Sequence, residues 1–220
     1  MLKLALLGRD ISHSKSQQMY EDLLGEKVRY ELLDFEKADA IPRIEEVLEG
    51  LDGLSITSPY KKHFLDSVEM SPEVESLGAI NCISKQNGRY FATNTDFLAV
   101  KEIFKERYLS KDIIVLGDGV MAKITLKVLN DLGLGYKQYS RKKDGNLNNL
   151  VLLGDNTLVV NTCSRNFVFN NELSPGSIFW DYNYSFPAHV EFFRGTSTLY
   201  IDGLEMLKLQ AKHALKFWRK

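Results

Sequence analysis

The sequence predicts an α/β fold, and three features of it do so. Short apolar runs alternate with segments of helical spacing along the whole length, the pattern of strands separated by helices. Asp112-Ile113-Ile114-Val115-Leu116 is a run of the kind that a sheet buries on both faces, and it passes directly into a glycine turn and a helical stretch. Asn87-Gly88 is the strongest hairpin-turn signal in the chain. The 220 residues suffice for one large or two small domains.

Taken in order, Lys3 to Leu7 reads as a first buried strand closed by Gly8. Arg9 to Ser16 is a polar loop, followed by a helix from Gln17 to Leu24 that Gly25 ends. Serines just ahead of a helix offer hydroxyls and backbone N–H groups to an anion such as a carboxylate; a serine there can equally be a plain N-cap. Val28 to Leu33 is a second strand, and Ala40 to Leu48 has helical spacing, with Pro42 near its start and Gly50 past its end. Gly53 to Thr57 is a third strand. Pro59 stops it, so Lys61 projects from a fixed turn. A lysine there can bind an anion or take part in proton transfer, or it can lie on a solvated face beside Lys62. Phe64 to Leu77 reads as a helix broken at Ser71-Pro72, and Gly78 to Ile83 as a strand that Arg89 to Thr93 pairs with. Asn94-Thr95-Asp96 opens a helix from Phe97 to Tyr108. Asp96 is either that helix's N-cap or a carboxylate held near Lys61.

In the second half, Gly117-Asp118-Gly119-Val120-Met121-Ala122 is G-x-G-x-x-A placed between a strand and a helix running from Lys123 to Leu132. That context is the one a dinucleotide turn requires. Gly117 allows the tight turn, Gly119 lets backbone approach a pyrophosphate, and Ala122 permits close helix–strand packing. The next strand, Tyr136 to Tyr139, ends in Ser140-Arg141-Lys142-Lys143, with no acid before Asp144. Basic groups there suit a ribose 2′-phosphate, which favours NADP over NAD; a solvated basic turn is the alternative. Thr157 to Asn161 and Ser177 to Asp181 are further strands, and the turns after them should line the cofactor. Thr198 to Ile201 reads as a last strand and Leu204 to Trp218 as a last helix, with Gln210 near its apolar stripe.

Composition excludes several classes. A net charge of −1 argues against general polyanion binding, so no nucleic-acid partner is expected. No run approaches the ~20 apolar residues of a membrane helix. Cys82 and Cys163 lie in apolar runs and suit a reducing cytoplasm as free thiols. The four histidines show no ligand spacing, so no metal is expected.

Nine motifs in order resemble the shikimate dehydrogenase family over essentially the whole length. They are Gly8 with His13-Ser14-Lys15-Ser16; Ser55-Ile56-Thr57-Ser58-Pro59-Tyr60-Lys61; Gly78-Ala79-Ile80-Asn81; Asn94-Thr95-Asp96; Gly117 to Lys123; Ser140-Arg141; Asn161 to Ser164; Asp181 to Tyr184; and Gly203, Met206, Leu207, Gln210 and Ala211. The resemblance implies two α/β domains. Residues 1–96, completed by 203–220, would bind substrate, and residues 97–202 would form a Rossmann-type NADP-binding domain. It implies reversible NADPH-dependent reduction of 3-dehydroshikimate to shikimate, in a monomer or homodimer of the cytoplasm. Lys61 and Asp96 would be the catalytic pair. Ser14 and Ser16 would hold the substrate carboxylate, and Thr57, Asn81 and Gln210 the ring hydroxyls. Gly117, Gly119, Ala122, Ser140, Arg141, Tyr184 and Gly203 would bind the cofactor.

The chain also departs from the family pattern. Ser55 stands where asparagine is usual, Gln17 where proline is, Phe97 where glycine is, and Asp118 and Val120 where small residues are. The cofactor half is short: Asp144 to Leu153 and Phe192 to Thr198 leave little room for full helices. Ser55 and Phe97 favour a dehydrogenase acting on quinate or another cyclic hydroxy acid. Asp118 and the short cofactor half favour a non-catalytic binding protein, against which Lys61 with Asp96 speaks.

Overall fold

The computed structural model describes residues 1–152 and 154–219, and it is α/β throughout. The chain divides into two compact units, Met1–Leu98 with the chain from Leu207 onward, and Ala99–Met206.

The first unit holds β1 (Lys3–Gly8), α1 (Ser16–Leu24), β2 (Arg29–Asp34), α2 (Ile44–Val47), β3 (Gly53–Ile56), α3 (Pro72–Glu75), β4 (Cys82–Gln86), β5 (Arg89–Thr93) and the start of α4 (Thr95–Arg107). The sheet order is β2-β1-β3-β4-β5, with the first three strands parallel and the last two antiparallel. Both faces are covered. Ala5, Leu7, Leu54, Ile56 and Ile83 face α2 and the loops around it. Leu4, Cys82 and Val28 face Tyr20 of α1 and Ala211, Ala214 and Leu215 of the C-terminal helix.

Several expected elements are shorter than the sequence suggests, for backbone reasons. The helix expected over Ala40–Leu48 is one turn, because Ile41 precedes a proline and is extended, so the helix forms only beyond Pro42. The helix expected over Phe64–Leu77 is a 3₁₀ turn, Leu65–Ser67, and α3. Between them the chain is extended at Val68, and Glu69 bridges Phe91. Gly78 has φ +58°, which a strand does not allow, so β4 starts at Cys82. The hairpin turn is as expected, with Asn87 and Gly88 both at positive φ.

The second unit holds the rest of α4, then β6 (Asp112–Leu116), α5 (Val120–Asp131), β7 (Tyr136–Tyr139), α6 (Arg141–Asp144), β8 (Thr157–Asn161), β9 (Ile178–Asp181), α7 (Pro187–Phe193), β10 (Leu199–Ile201) and the start of α8 (Leu204–Trp218). All five strands are parallel, in the order β10-β9-β8-β6-β7. Parallel neighbours need a crossover, usually a helix. Among the described residues no helix joins β8 to β9. Phe167 and Phe169 of that connection are buried instead against Phe179, Phe193, Leu147 and Leu152, doing the covering a helix would do. Leu153, the end of the short stretch noted in the sequence, lies outside the described residues. On Trp180, Phe104 of α4 and Tyr108 just after it pack with ring centroids 5.6 and 5.7 Å away.

One close packing in the first unit is testable. Trp218 donates its indole N–H to Ile83 O at 2.9 Å, and its ring lies where a Gly53 side chain would be. Gly53→Ala should destabilise the chain by about 1–3 kcal/mol in urea titrations. In a Trp218→Ala background the same change should cost under about 0.5 kcal/mol, because the obstructing ring is gone. Equal costs in both backgrounds would show that the indole does not exclude the methyl.

Candidate active site

In the first unit Lys61 and Asp96 meet. Lys61 Nζ donates to Asp96 Oδ2 at 2.5 Å, and the side chains are 10% and 6% exposed. Lys61 stands in the turn after β3, where Tyr60 N–H donates to Thr57 O at 2.9 Å and Ile80 N–H donates to Lys61 O at 2.8 Å. The Tyr60 ring is buried and its hydroxyl donates to Phe35 O at 2.6 Å, so the turn is anchored on both sides. Asp96 lies in the first turn of α4. It is not the cap: Asn94 Oδ1 accepts the Phe97 N–H at 3.0 Å, and Asn94 Nδ2 donates to Ala79 O at 2.9 Å. That corrects the capping reading of Asp96 and leaves its carboxylate for the lysine.

Asn81 also serves this turn. Its Oδ1 accepts the Thr95 N–H at 2.7 Å and its Nδ2 donates to Thr95 Oγ1 at 3.0 Å. An amide carries two N–H donors, so Thr95 does not exhaust it. Ser14 and Ser16 lie side by side, with their Oγ atoms 3.2 Å apart and the Ser16 N–H on Ser14 Oγ. Neither caps α1, whose N-cap is Lys15 with no side-chain bond. Thr57 and Gln210 are half-buried, and their side chains make no hydrogen bond among the described residues. The hydroxyls of Ser55 and Tyr20 pair at 3.1 Å. Burial, with Tyr30 and Cys82 beside it, holds the Tyr20 phenol well above its ordinary range, so it stays protonated.

In the second unit the glycine turn stands at the carboxyl end of β6, where β7 lies to one side and β8 to the other. Open α/β sheets take ligands at this reversal of strand order. Gly117 has φ +117°, and a side chain on it would also strike Thr162 Oγ1. Space beside Gly119 is open, and α5 begins there with no side-chain cap. Ala122 is buried behind it, whereas Asp118 is exposed. The basic turn is itself the start of α6. Ser140 Oγ accepts the Lys143 N–H at 3.3 Å, and Asp144 Oδ2 accepts the Ser140 N–H at 2.8 Å. Asp144, the first acid after β7, is thus spent on a reciprocal cap, while Arg141 stays exposed.

Tyr184 and Gly203 lie on turns that touch. Gly203 N–H donates to Asn183 O at 3.1 Å, and a side chain on Gly203 would run into Tyr182 O. The Arg165 guanidinium donates to Tyr184 O and lies 5.9 Å from the Tyr184 ring centroid. Burial pushes the Cys163 thiol up to about 11, so it is a packing group and not a nucleophile at neutral pH. Among the described residues no three His, Cys, Asp or Glu side chains could hold a metal, and no helix is long and apolar enough to cross a membrane. Sequence reasoning passed over Tyr20, Arg165 and His189: each stands alone in the sequence, with no partner at a telling spacing.

The Asn94 cap can be tested directly. Asn94→Ala should cost about 2 kcal/mol of stability by denaturant titration, since it removes a cap and leaves Ala79 O unpaired. Asn94→Ser keeps a short acceptor for the Phe97 N–H, adds no charge and should recover part of that loss. Alanine no worse than serine would rule out the cap.

Comparison with known proteins finds similar chains. The model of the Shikimate dehydrogenase substrate binding domain matches residues 6–83. The "Shikimate dehydrogenase (NADP(+))" of Caldicellulosiruptor bescii is 32% identical over 143 residues, 60% of this chain and 50% of that protein. The protein of the same name from Caldicellulosiruptor saccharolyticus is 28% identical over 258 residues, covering 99% of this chain and 92% of its own. Thus some matches at higher identity span about half the relative, and others at lower identity span nearly all of it. The Shikimate 5-Dehydrogenase from Thermus thermophilus, solved in complex with shikimate, superposes with a TM-score of 0.82 at 25% identity, covering 99% of this chain and 92% of that one. A substrate-domain match at the front, relatives aligned from end to end and a shared α/β architecture make the chain similar to shikimate dehydrogenases in sequence and in fold.

Proposed function

We propose that the chain is an NADP-dependent dehydrogenase that interconverts 3-dehydroshikimate and shikimate. The observation that carries this reading is the buried Lys61–Asp96 pair, at 2.5 Å, in the unit that matches a substrate-binding domain. In this reading the first unit binds substrate and the second binds NADP. Relatives named for shikimate and NADP support both halves of it.

The residues of the second unit fit the cofactor. Gly117 keeps the turn tight, Gly119 leaves open space at the start of α5, and the helix N-terminus favours a pyrophosphate. Arg141 is exposed beside the Ser140 cap, where a ribose 2′-phosphate would meet it, and Asp144 is engaged by backbone. When bound, NADPH supplies the hydride that reduces the ketone carbon.

The first unit does the rest. Ser14 and Ser16 hold the carboxylate, and Thr57, Asn81 and Gln210 orient the ring hydroxyls, which is much of the rate. Lys61 Nζ donates to the ketone oxygen as negative charge builds there and gives it a proton. Asp96 holds that ammonium in direction and balances its charge. In the reverse reaction Lys61 takes the alcohol proton. A second reading, turnover of quinate or another cyclic hydroxy acid, is favoured by Ser55, whose hydroxyl is paired with Tyr20.

Following NADPH absorbance with shikimate and with quinate, and with NADP and with NAD, separates these readings. Rapid reduction of NADP by shikimate alone is expected; comparable turnover of quinate would favour the second reading, and binding without turnover would exclude an enzyme. Lys61→Ala should lower kcat by about 10²–10⁴-fold with little change in the shikimate KM. An unchanged kcat would remove Lys61 from the mechanism. Arg141→Ala should raise the KM for NADP about tenfold and leave that for NAD unmoved. Equal changes for both would exclude contact with the 2′-phosphate.

A further inference from the structure

The carboxylate of Asp181, at the end of β9, is fully buried and gathers five donors. Its Oδ1 accepts from Asn161 Nδ2 at 3.0 Å, from the Asn183 N–H at 3.0 Å and from Asn183 Nδ2 at 2.9 Å. Its Oδ2 accepts from Tyr200 Oη at 3.3 Å and faces His189 Nδ1 at 2.6 Å. His189 is also fully buried. Its Nε2 receives the Phe169 backbone N–H at 2.8 Å, and an N–H can only donate, so Nε2 is an acceptor and the ring proton sits on Nδ1. His189 therefore donates to Asp181 and holds the carboxylate from behind.

The two asparagines on Oδ1 reach outward. Asn161 Oδ1 accepts the Cys163 N–H at 3.1 Å, and Asn183 Nδ2 donates to Cys163 O at 2.9 Å. Asn183 O accepts the Gly203 N–H at 3.1 Å. One carboxylate thus sets three strand-end turns: the one after β8, the one after β9 that carries Tyr184, and the one after β10 that carries Gly203. None of the roles assigned above uses His189.

We infer that His189 is a positioning residue for cofactor binding: by donating Nδ1–H to Asp181 it fixes the Asn161–Asp181–Asn183 web and, through it, the turns of Cys163, Tyr184 and Gly203. The inference rests on the reading of the second unit as the NADP-binding one. It also separates two jobs of one ring, because only the Nδ1 side leads to those turns. The Nε2 side leads to Phe169 and the helix-free connection between β8 and β9.

Two substitutions divide the ring. His189→Asn places an amide N–H near the Nδ1 position and loses the acceptor for Phe169. His189→Gln places an amide oxygen near the Nε2 position and loses the donor to Asp181. NADPH affinity is read by fluorescence titration, the KM for NADP and for shikimate by steady-state kinetics, and stability by thermal melting. His189→Gln is expected to weaken NADPH binding and raise the NADP KM about tenfold, with the shikimate KM unmoved, and His189→Asn to stay within about twofold of wild type in both. Similar NADPH affinities in the two variants, or a greater loss in His189→Asn, would overturn the inference even if both melt early, because that pattern belongs to a strut for Phe169. Wild-type protein that binds no NADPH would overturn the reading of the second unit, and this inference with it.

Discussion

The first unit depends on one buried ion pair. Removing a lysine and a carboxylate from water is costly, and their attraction offsets that cost only when the geometry is fixed and the remaining hydrogen-bonding capacity is met. Lys61 and Asp96 come from distant parts of the chain, so both ends must be held independently of each other. The β3 turn holds one, through Tyr60 and Ile80. The start of α4 holds the other, through Asn94 and Asn81. The rest of the unit serves that requirement. A sheet covered on both faces gives the two turns a rigid base, and rigidity keeps a charged pair from relaxing toward water. A pair so held has little freedom to reorganise, which is what the proposed proton transfer to a bound oxygen would require.

The second unit solves a similar problem with a carboxylate that, among the described residues, has no lysine or arginine paired with it. Asp181 is satisfied by neutral donors alone: two amides, a backbone N–H, a phenol and an imidazole with its proton on Nδ1. Hydrogen bonds to an ionised acceptor are the stronger kind, so five of them can stand in for a counter-ion. The Tyr200 phenol feels this directly, since burial and the Asp181 charge both push it above its ordinary range. The arrangement suits a unit that dispenses with a helix between β8 and β9. Phe167 and Phe169 fill the core, and the Phe169 N–H, which no helix ladder pairs, finds the histidine instead.

Much of this is legible in the chain alone. The strand-turn-helix around Gly117 announces itself because a glycine turn in that context has few other physical reasons to exist. Lys61 and Asp96 were readable as candidates from a proline-stopped strand and a helix start. Their meeting is one of two readings of Asp96 and the one the family resemblance implies, but spacing alone does not give the distance between residues 35 positions apart. Asp96 was open to a capping role because Asn and Asp are equally good caps, and only the bond to Phe97 decides for Asn94. The helix expected around Pro42 is shortened because the residue before a proline is driven to extended backbone, and the one already broken at Ser71-Pro72 is shortened further where Val68 is extended and Glu69 bridges Phe91. His189 was invisible for a plainer reason. Its partners, Asp181 and Phe169, stand eight and twenty residues away and share no periodicity with it.

Asparagine recurs at the joints of both units, and its chemistry explains why. Asn94 joins Phe97 to Ala79, Asn81 clamps Thr95, Asn161 joins Asp181 to Cys163, and Asn183 joins Asp181 to Cys163 and Gly203. Asn94, Asn81 and Asn161 each use a donor and an acceptor on one short side chain, and Asn183 uses its amide as a donor to both Asp181 and Cys163. Serine supplies donor and acceptor from a single atom and reaches less far. Aspartate supplies acceptors only, and beside Asp96 or Asp181 it would add a second buried negative charge, which raises the cost of keeping the first ionised. Leucine would fill the space and orphan buried backbone groups, at about 1–3 kcal/mol for each. The amide is the side chain that can pin a turn next to a buried carboxylate while adding no charge of its own.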